Sequence, residues 1–264
     1  MKIFLTGGTG FIGSHFINEA MKENHEIFAI RRKGSKPRIK LDKEPIWIEG
    51  GIDKDYKKEL LRCDTLVHFA AHTPNVPYDT LVNCLHWNVD ISLRLFNCAI
   101  DSGIKNFLVA GSCFEYGNSA EKFKFIPVNA PLEPSASYPV SKAAASIAFS
   151  KLTKEKLIKL KILRIFQVFG EGEKKNRLWP SLYRAAISGK DFPMTEGKQL
   201  RDFIEVKDVV FQFLKALDFK NCKEGVPFIK NVGTGIPQSV LNFSQYWWQK
   251  WEAKGKLKIG VLPY

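Results

Sequence analysis

The N-terminal stretch constrains the fold more than any other part of this chain. Lys2-Ile3-Phe4-Leu5 is a short apolar run, and Thr6-Gly7-Gly8-Thr9-Gly10-Phe11-Ile12-Gly13 follows it directly. From Ser14 to Lys22 the residues Phe16, Ile17, Ala20 and Met21 recur on one helix face. The order is strand, glycine-rich turn, helix. Side chains at Gly7, Gly10 and Gly13 would keep a pyrophosphate away from the backbone N–H groups and the positive helix end. A glycine motif alone is weak evidence. Between an N-terminal strand and a helix it points to a dinucleotide cradle, the alternative being a tight turn without a ligand.

Strand-like runs recur at 2–6, 26–30, 45–49, 65–69, 107–111 and 161–166, with helical stretches at 14–23, 79–102 and 139–156. This alternation predicts an α/β fold, a Rossmann-type doubly wound parallel sheet. The interval 112–138 holds Pro127, Pro131 and Pro134 and reads as a surface loop. Beyond 166 the pattern turns irregular, with Gly170, Gly172, Pro180, Gly189, Pro193 and Gly197. We read 1–166 as a dinucleotide-binding domain. Residues 167–264 read mainly as a smaller C-terminal substrate-binding region, with 203–220 packing back on the first part.

Tyr138-Pro139-Val140-Ser141-Lys142 places a phenol and an ammonium one helical turn apart. A free tyrosine titrates near pH 10. A nearby ammonium favours the phenolate, so the pair predicts a lowered tyrosine pKa and a group able to exchange a proton with a sugar hydroxyl or carbonyl. Pro139 suits a first helical turn. Ser112 follows the apolar run Phe107-Leu108-Val109-Ala110, hence lies at the carboxyl end of a strand, where open parallel sheets place their ligand crevice. Its hydroxyl can hold the oxygen being oxidised or reduced; satisfying a turn is the alternative.

These motifs resemble the extended short-chain dehydrogenase/reductase family, in its branch acting on nucleotide-diphosphate sugars. The resemblance runs through Thr6–Gly13, Val67-His-Phe-Ala-Ala71, Gly111-Ser-Cys-Phe-Glu-Tyr-Gly117 and Tyr138–Lys142. It continues through Arg164-Ile-Phe-Gln-Val-Phe-Gly170, Arg201-Asp-Phe-Ile-Glu-Val-Lys-Asp208 and Asn231-Val-Gly-Thr-Gly235. It implies an enzyme with Ser112, Tyr138 and Lys142 as catalytic triad, Lys142 also holding the nicotinamide ribose. It implies cofactor contacts at Gly7, Gly10, Phe11, Ile12, Gly13, Ala70 and Ala71. Asp53 is the substitute candidate on the adenine side, since Gly50-Gly51-Ile52-Asp53 departs from the usual Gly-Asp pattern. For a nucleotide-diphosphate sugar it implies Arg201 on the diphosphate and Gln167 in place of the usual Asn near the sugar; Arg177 is a candidate second phosphate contact, the alternative being an ordinary surface arginine, and Cys113 a candidate substrate-side thiol, the alternative being a small apolar filler. The chain ends at Tyr264, earlier than the resemblance leads one to expect. It is either a compact member or one without the segment that closes the sugar pocket.

Cofactor choice is argued at the end of the second strand. NAD-binding folds place an acid there, about 20 residues past the glycine turn. Here stand Ile30-Arg31-Arg32-Lys33. A guanidinium fork matches a 2′-phosphate, so NADP(H) is preferred, read by Arg31 and Arg32, with NAD(H) as the alternative. Sugar-dehydrating relatives carry an Asp-Glu or Ser-Glu pair after the catalytic Ser/Thr; here those positions are Cys113 and Phe114. Phe114 supplies neither the base nor the acid that loss of water needs. Strand alternation points the neighbouring Glu115 to the other side. The predicted activity is reduction of a 4-keto-6-deoxy sugar nucleotide. The alternatives are a 4-epimerase holding NAD(P) tightly and a non-catalytic dinucleotide sensor, which the presence of both Tyr138 and Lys142 disfavours.

Composition narrows the rest. The 264 residues suffice for one or two domains. No apolar run reaches the ~18 residues of a membrane span. The apolar start is cut short by glycines, so no signal peptide is read and a cytoplasmic protein is expected. Five scattered cysteines, none in a Cys-x-x-Cys pair, argue against a disulfide framework and a zinc site. No metal is expected; His68 and His72 read as packing or turn residues. The formal charge of +13 is spread along helices as in Lys151, Lys154 and Lys156, not gathered into a groove-tracking patch, so no nucleic-acid partner is expected. The aromatic run 243–251 reads as a packing face, with a homodimer contact as the alternative.

Overall fold

A computed structural model describes residues 1–263. They form two compact units, one of Met1–Ile165 with Lys207–Val232, the other of Phe166–Val206 with the residues from Gly233 on. In chain order the first unit contains β1 (Lys2–Thr6), α1 (Phe11–Lys22), β2 (Glu26–Arg31), β3 (Ile46–Glu49), α2 (Lys57–Leu60), β4 (Thr65–His68) and α3 (Leu81–Leu85). A π-helical segment, His86–Ile91, leads into α4 (Ser92–Asp101), then β5 (Asn106–Ser112), α5 (Ser137–Lys156) and β6 (Lys159–Ile165). The second unit takes β7 (Gln167–Phe169), α6 (Leu178–Ile187), β8 (Phe192–Pro193), β9 (Leu200–Arg201) and β10 (Phe203–Glu205). The chain returns to the first with α7 (Val206–Ala216) and β11 (Phe228–Val232), then closes the second with β12 (Gln238–Ser239), α8 (Val240–Lys250) and β13 (Leu257–Lys258).

The first unit is built on a seven-stranded sheet in the order β11-β6-β5-β4-β1-β2-β3. Every pairing in it is parallel. The predicted doubly wound α/β fold is the observed one. Helices cover both faces of such a sheet, which is why β4 is buried along its whole length and β5 from Phe107 to Val109. β1 lies between β2 and β4, so the strand order reverses there, and the carboxyl ends of β1 and β4 open the crevice of the fold.

α5 buries Tyr138, Ser141, Lys142, Ala145, Ser146, Phe149, Leu152 and Thr153, a stripe at helical spacing. The stripe is polar in its first half and largely apolar in its second. The apolar half anchors the helix: Phe149 stacks on Phe96 at 4.4 Å, and Phe96 meets Phe107 on β5 at 5.2 Å. Pro139 sits in the first turn, where its missing N–H has no intrahelical partner to lose. The helix stops at Leu157, in the left-handed region at φ 51°.

Residues 113–122 correct the loop reading of 112–138. They form two 3₁₀ turns, Cys113–Tyr116 and Asn118–Lys122, and Glu115, Tyr116 and Ser119 are buried. Short polar side chains bonded to nearby backbone hold this segment: Ser119 Oγ donates to Tyr116 O at 2.9 Å. Glu115 is not placed by strand alternation, because the strand has ended at Ser112.

The second unit holds short strand pairs, β10 with β7, β12 with β9 and β13 with β8. Its aromatic residues pack on one another: Phe203 stacks on Phe243 at 3.8 Å, and Trp179 lies edge-on to Trp247 and Trp251, each at 5.6 Å. In the aromatic run of α8, Phe243 and Trp248 are buried and Tyr246 is 55% exposed.

Candidate active site

The glycine turn brings the ends of β1 and β4 into contact. Gly7 has φ +73°, and a Cβ there would stand 2.6 Å from Ala70 N. A Cβ at Gly13 would stand 2.2 Å from Gly7 O, so α1 can pack this close only on glycine. Gly10 caps α1 without a side chain, and no acidic residue occupies the first turn. The helix therefore presents backbone N–H groups and its positive end with no side chain over them, which fits a pyrophosphate. Phe11 and Ile12 open the helix half-buried. Thr6 Oγ1 accepts from Ala70 N at 3.2 Å and shares a hydrogen bond with His68 Nδ1 at 2.9 Å. His68 is buried edge-on to Phe96 and Phe149. Burial, then the Lys142 charge, pulls its pKa down to about 3, so it is neutral and packs as the sequence predicts. His72 Nε2 bonds Asp79 at 2.7 Å in the loop after β4. Ala71 is half-buried beside it.

Ser112, Tyr138 and Lys142 come together at the carboxyl end of β5. All three are buried, and the Ser112 hydroxyl lies near enough to act on the Tyr138 phenol. Lys142 Nζ donates to Ala110 O at 2.8 Å, two residues before Ser112. Tyr78 stacks on the Tyr138 ring at 5.5 Å. The electrostatics correct the prediction of a lowered tyrosine pKa. Burial raises it, the Glu115, Tyr78 and Cys113 charges add to the rise, and only the Ser112 hydroxyl opposes it. Burial also lowers Lys142, against the pull of Glu115. Desolvation disfavours each charged form and outweighs the pairing assumed from spacing alone.

A sequence model of the NAD dependent epimerase/dehydratase family matches residues 3–233, which take in the glycine cradle and the Ser112–Tyr138–Lys142 cluster. The chain belongs to that family. This agrees with the predicted short-chain dehydrogenase/reductase type of enzyme. The dTDP-6-deoxy-L-talose 4-dehydrogenase (NAD(+)) of Aggregatibacter actinomycetemcomitans is 25% identical, over 100% of this chain and 95% of that protein. A UDP-glucose 4-epimerase of Lactobacillus helveticus is 26% identical, over 91% of this chain and 79% of its own. Among solved structures, the UDP-N-acetylglucosamine 4-epimerase from Methanobrevibacter ruminantium M1 superposes with a TM-score of 0.86 at 23% identity, covering 98% of this chain and 84% of that one.

Other predicted positions of this epimerase/dehydratase chain are placed as follows. Arg31 ends β2, with its guanidinium over the Trp47 ring at 5.0 Å and 3.9 Å from Glu49, its register partner on β3. Its Nε is buried without a hydrogen-bond partner. Arg32 is exposed, as is Asp53. Cys113 is half-buried next to Ser112. In the second unit Gln167 N donates to Asp202 O at 3.0 Å. Arg177 precedes α6 and lies 3.4 Å from Glu173. Arg201 is exposed, its guanidinium donating to Leu200 O and Gln199 Oε1. The adjacent Asp202 fastens Thr234 N and Gly235 N, each at 2.8 Å.

Two groups beside the cluster were given no site role in the sequence reading. Asn88 is buried; its Nδ2 donates to Ser141 Oγ at 2.9 Å and its Oδ1 accepts from His72 N at 2.7 Å, joining the β4 loop to α5. Glu115 pairs with Arg164 under Ser112 at 2.9 Å. The spacing Ser112-x-x-Glu115 is a capping-box pattern and could have signalled the latter. Among the described residues no cluster of metal-ligating side chains is found, and no helix is long and apolar enough to cross a membrane.

Proposed function

We propose that this chain oxidises or reduces the C4 position of a nucleotide-diphosphate sugar, and that the net reaction is reduction of a 4-keto-6-deoxy sugar. The observation that carries the reading is that Ser112, Tyr138 and Lys142 are buried together at the carboxyl end of β5, Ser112 near the Tyr138 phenol and Lys142 anchored on Ala110 O. Gly7, Gly10 and Gly13 at the start of α1 would hold a nicotinamide dinucleotide, which would supply or accept the hydride. Tyr138, held as a phenol by burial, gives its proton to the oxygen at C4 during reduction. Ser112 holds that oxygen by a hydrogen bond, and Lys142 steadies the charge that develops on Tyr138. Phe114, 36% exposed, brings no acid or base, which favours simple reduction over loss of water. The 4-dehydrogenase relative, matched along this whole chain, supports a 6-deoxy sugar substrate. The several 4-epimerase relatives support the second reading, epimerisation with a retained cofactor.

Arg31 and Arg32 favour NADP(H), with Arg32 the freer reader because Trp47 and Glu49 engage Arg31. Solved relatives carry NAD, which keeps NAD(H) as the alternative. Gln167, Arg177 and Arg201 give the second unit its substrate-binding role, Arg201 on the diphosphate. Asp53, Ala70 and Ala71 belong to the cofactor side and Cys113 to the substrate side. The protein works in the cytoplasm, as a homodimer or alone. The test follows absorbance of the reduced nicotinamide while dTDP-4-keto-6-deoxyglucose is added with NADPH or NADH. One reduced cofactor consumed per sugar, faster with NADPH, supports reduction. Interconversion of UDP-glucose and UDP-galactose without net consumption moves the assignment to epimerase.

A further inference from the structure

We propose that Glu115, paired with Arg164, is the positioning residue of the candidate active site: its buried carboxylate fixes the backbone and hydroxyl of Ser112 and ties them to the helix that carries Tyr138 and Lys142. The inference rests on the oxidoreductase reading above. Glu115 is fully buried and Arg164 nearly so. One carboxylate oxygen, Oε1, accepts from Ser112 N at 2.8 Å. The other, Oε2, accepts from Ser146 Oγ at 2.8 Å and from Arg164 Nε at 2.9 Å. Ser146 lies one turn beyond Lys142 on α5, and Arg164 lies on β6. One carboxylate therefore joins β5, α5 and β6 where the reacting groups converge.

The 3₁₀ turn makes this specific. Phe114 N donates to Ser112 Oγ at 3.2 Å, closing a capping box with Glu115. One lone pair of the Ser112 hydroxyl is thereby committed, which fixes the side chain beside the buried Tyr138. Gly111 makes room: a Cβ there would stand 2.9 Å from Glu115 Oε1 and 3.0 Å from Arg164 Cγ. Arg164 is locked from its far side, Nη1 donating to Tyr116 Oη and Val128 O, each at 3.0 Å. Tyr116 in turn donates to Asn231 Oδ1 at 2.6 Å. A buried ion pair adds little net stability over a well-packed apolar pair, so what it contributes here is orientation. Its charge also acts on the site, favouring the ammonium of Lys142 and the phenol of Tyr138.

The test uses the full chain with NADPH and dTDP-4-keto-6-deoxyglucose, and with NAD and UDP-glucose. Glu115→Gln/Arg164→Gln removes both charges together, leaving neither unpaired. The expected result is a folded protein by circular dichroism, dinucleotide affinity within about threefold of wild type, KM for the sugar nucleotide little changed, and kcat lower by about 30- to 100-fold, the scale of a misplaced reacting group. Should that variant not fold, Glu115→Asp keeps the charge and withdraws it from Ser112; a kcat drop of about tenfold or more with dinucleotide binding intact is then expected. Wild-type kcat in either folded variant overturns the inference and leaves the oxidoreductase reading standing. A wild-type chain that turns over neither sugar nucleotide sinks that reading, and this inference with it.

Discussion

At the scale of single residues, the chemistry follows from what burial does to charge. Burial holds Tyr138 as a phenol, the form that the proposed reduction would need in a proton donor. Tyr138→Phe should lower kcat by about 10²- to 10⁴-fold while dinucleotide affinity stays at the wild-type value, read by titration of cofactor fluorescence. Retained turnover in that variant would leave the phenol without a role. Glu173 shows burial acting on stability. Burial raises its pKa to about 7 against the opposing Arg177 charge, and its Oε2 has no hydrogen-bond partner. A folded value above the unfolded one means that its contribution is complete below the ordinary carboxylate value of 4.5 and is lost as pH rises through about 7. Glu173→Gln should therefore melt like wild type near pH 5 and several degrees higher near pH 8; equal melting at both would show the carboxylate already ionised without cost. The positions of Tyr138 and Lys142 were legible because a four-residue spacing fixes a helix face. Asn88 was not: its partners Ser141 and His72 lie far away in the chain, and no local pattern encodes such bonds. The direction of the tyrosine shift was illegible for the same reason, since desolvation belongs to the assembled fold.

At the scale of elements, the hydrophobic runs that strands and helices need were visible wherever both faces are covered, as in β1, β4 and β5. β11 escaped because Lys230 and Asn231 break its apolar run, whereas the other edge strand, β3, keeps Ile46-Trp47-Ile48. Phe228 and Lys230 are exposed, Ile229 and Asn231 half-buried, and only Val232 is buried, so it lacks the continuous apolar signature of its neighbours. The 3₁₀ turns at 113–122 escaped because prolines and short polar residues spell a loop whether or not it is buried. The β1–α1 turn was read from glycine spacing, and its geometry sets a graded prediction. At Gly13 a Cβ would meet backbone oxygen at 2.2 Å, and at Gly7 backbone nitrogen at 2.6 Å with φ +73°. Gly34 has nearly the same dihedral, φ +74°, but nothing within 4 Å. Gly34→Ala should cost only the left-handed strain of about 1–2 kcal/mol. Gly7→Ala and Gly13→Ala should cost more and weaken dinucleotide binding at least tenfold, on the order of 1.4 kcal/mol. Thermal melts and cofactor titrations on the three variants check the ranking; wild-type affinity in Gly13→Ala would remove the cradle from the binding site.

At the scale of the whole molecule, the first unit is discontinuous. Its sheet is complete only after the chain has left for the second unit and returned with α7 and β11. The alternation of elements made the doubly wound fold legible, while a strand order set by a returning segment is written in no local pattern. The returning segment is bound in three ways. β11 pairs along β6 from Phe228 to Val232. Asn231 donates to Ile126 O at 2.8 Å and accepts from Tyr116 Oη. α7 buries Val209, Val210 and Phe213, with the Phe213 ring 4.7 Å from Phe69, next to Ala70 in the loop after β4. Such packing predicts that the two segments unfold as one body. Phe213→Ala removes a fully buried ring and should cost about 3–5 kcal/mol. Native-state hydrogen exchange distinguishes the cases. If the unit is cooperative, the amides of β4 and β5 lose protection by the same free energy as those of α7 and β11, although they belong to the segment before the excursion. Loss confined to α7 and β11 would make the return a separately folding flap, and the site on β5 and α5 would then owe its order to the first segment alone.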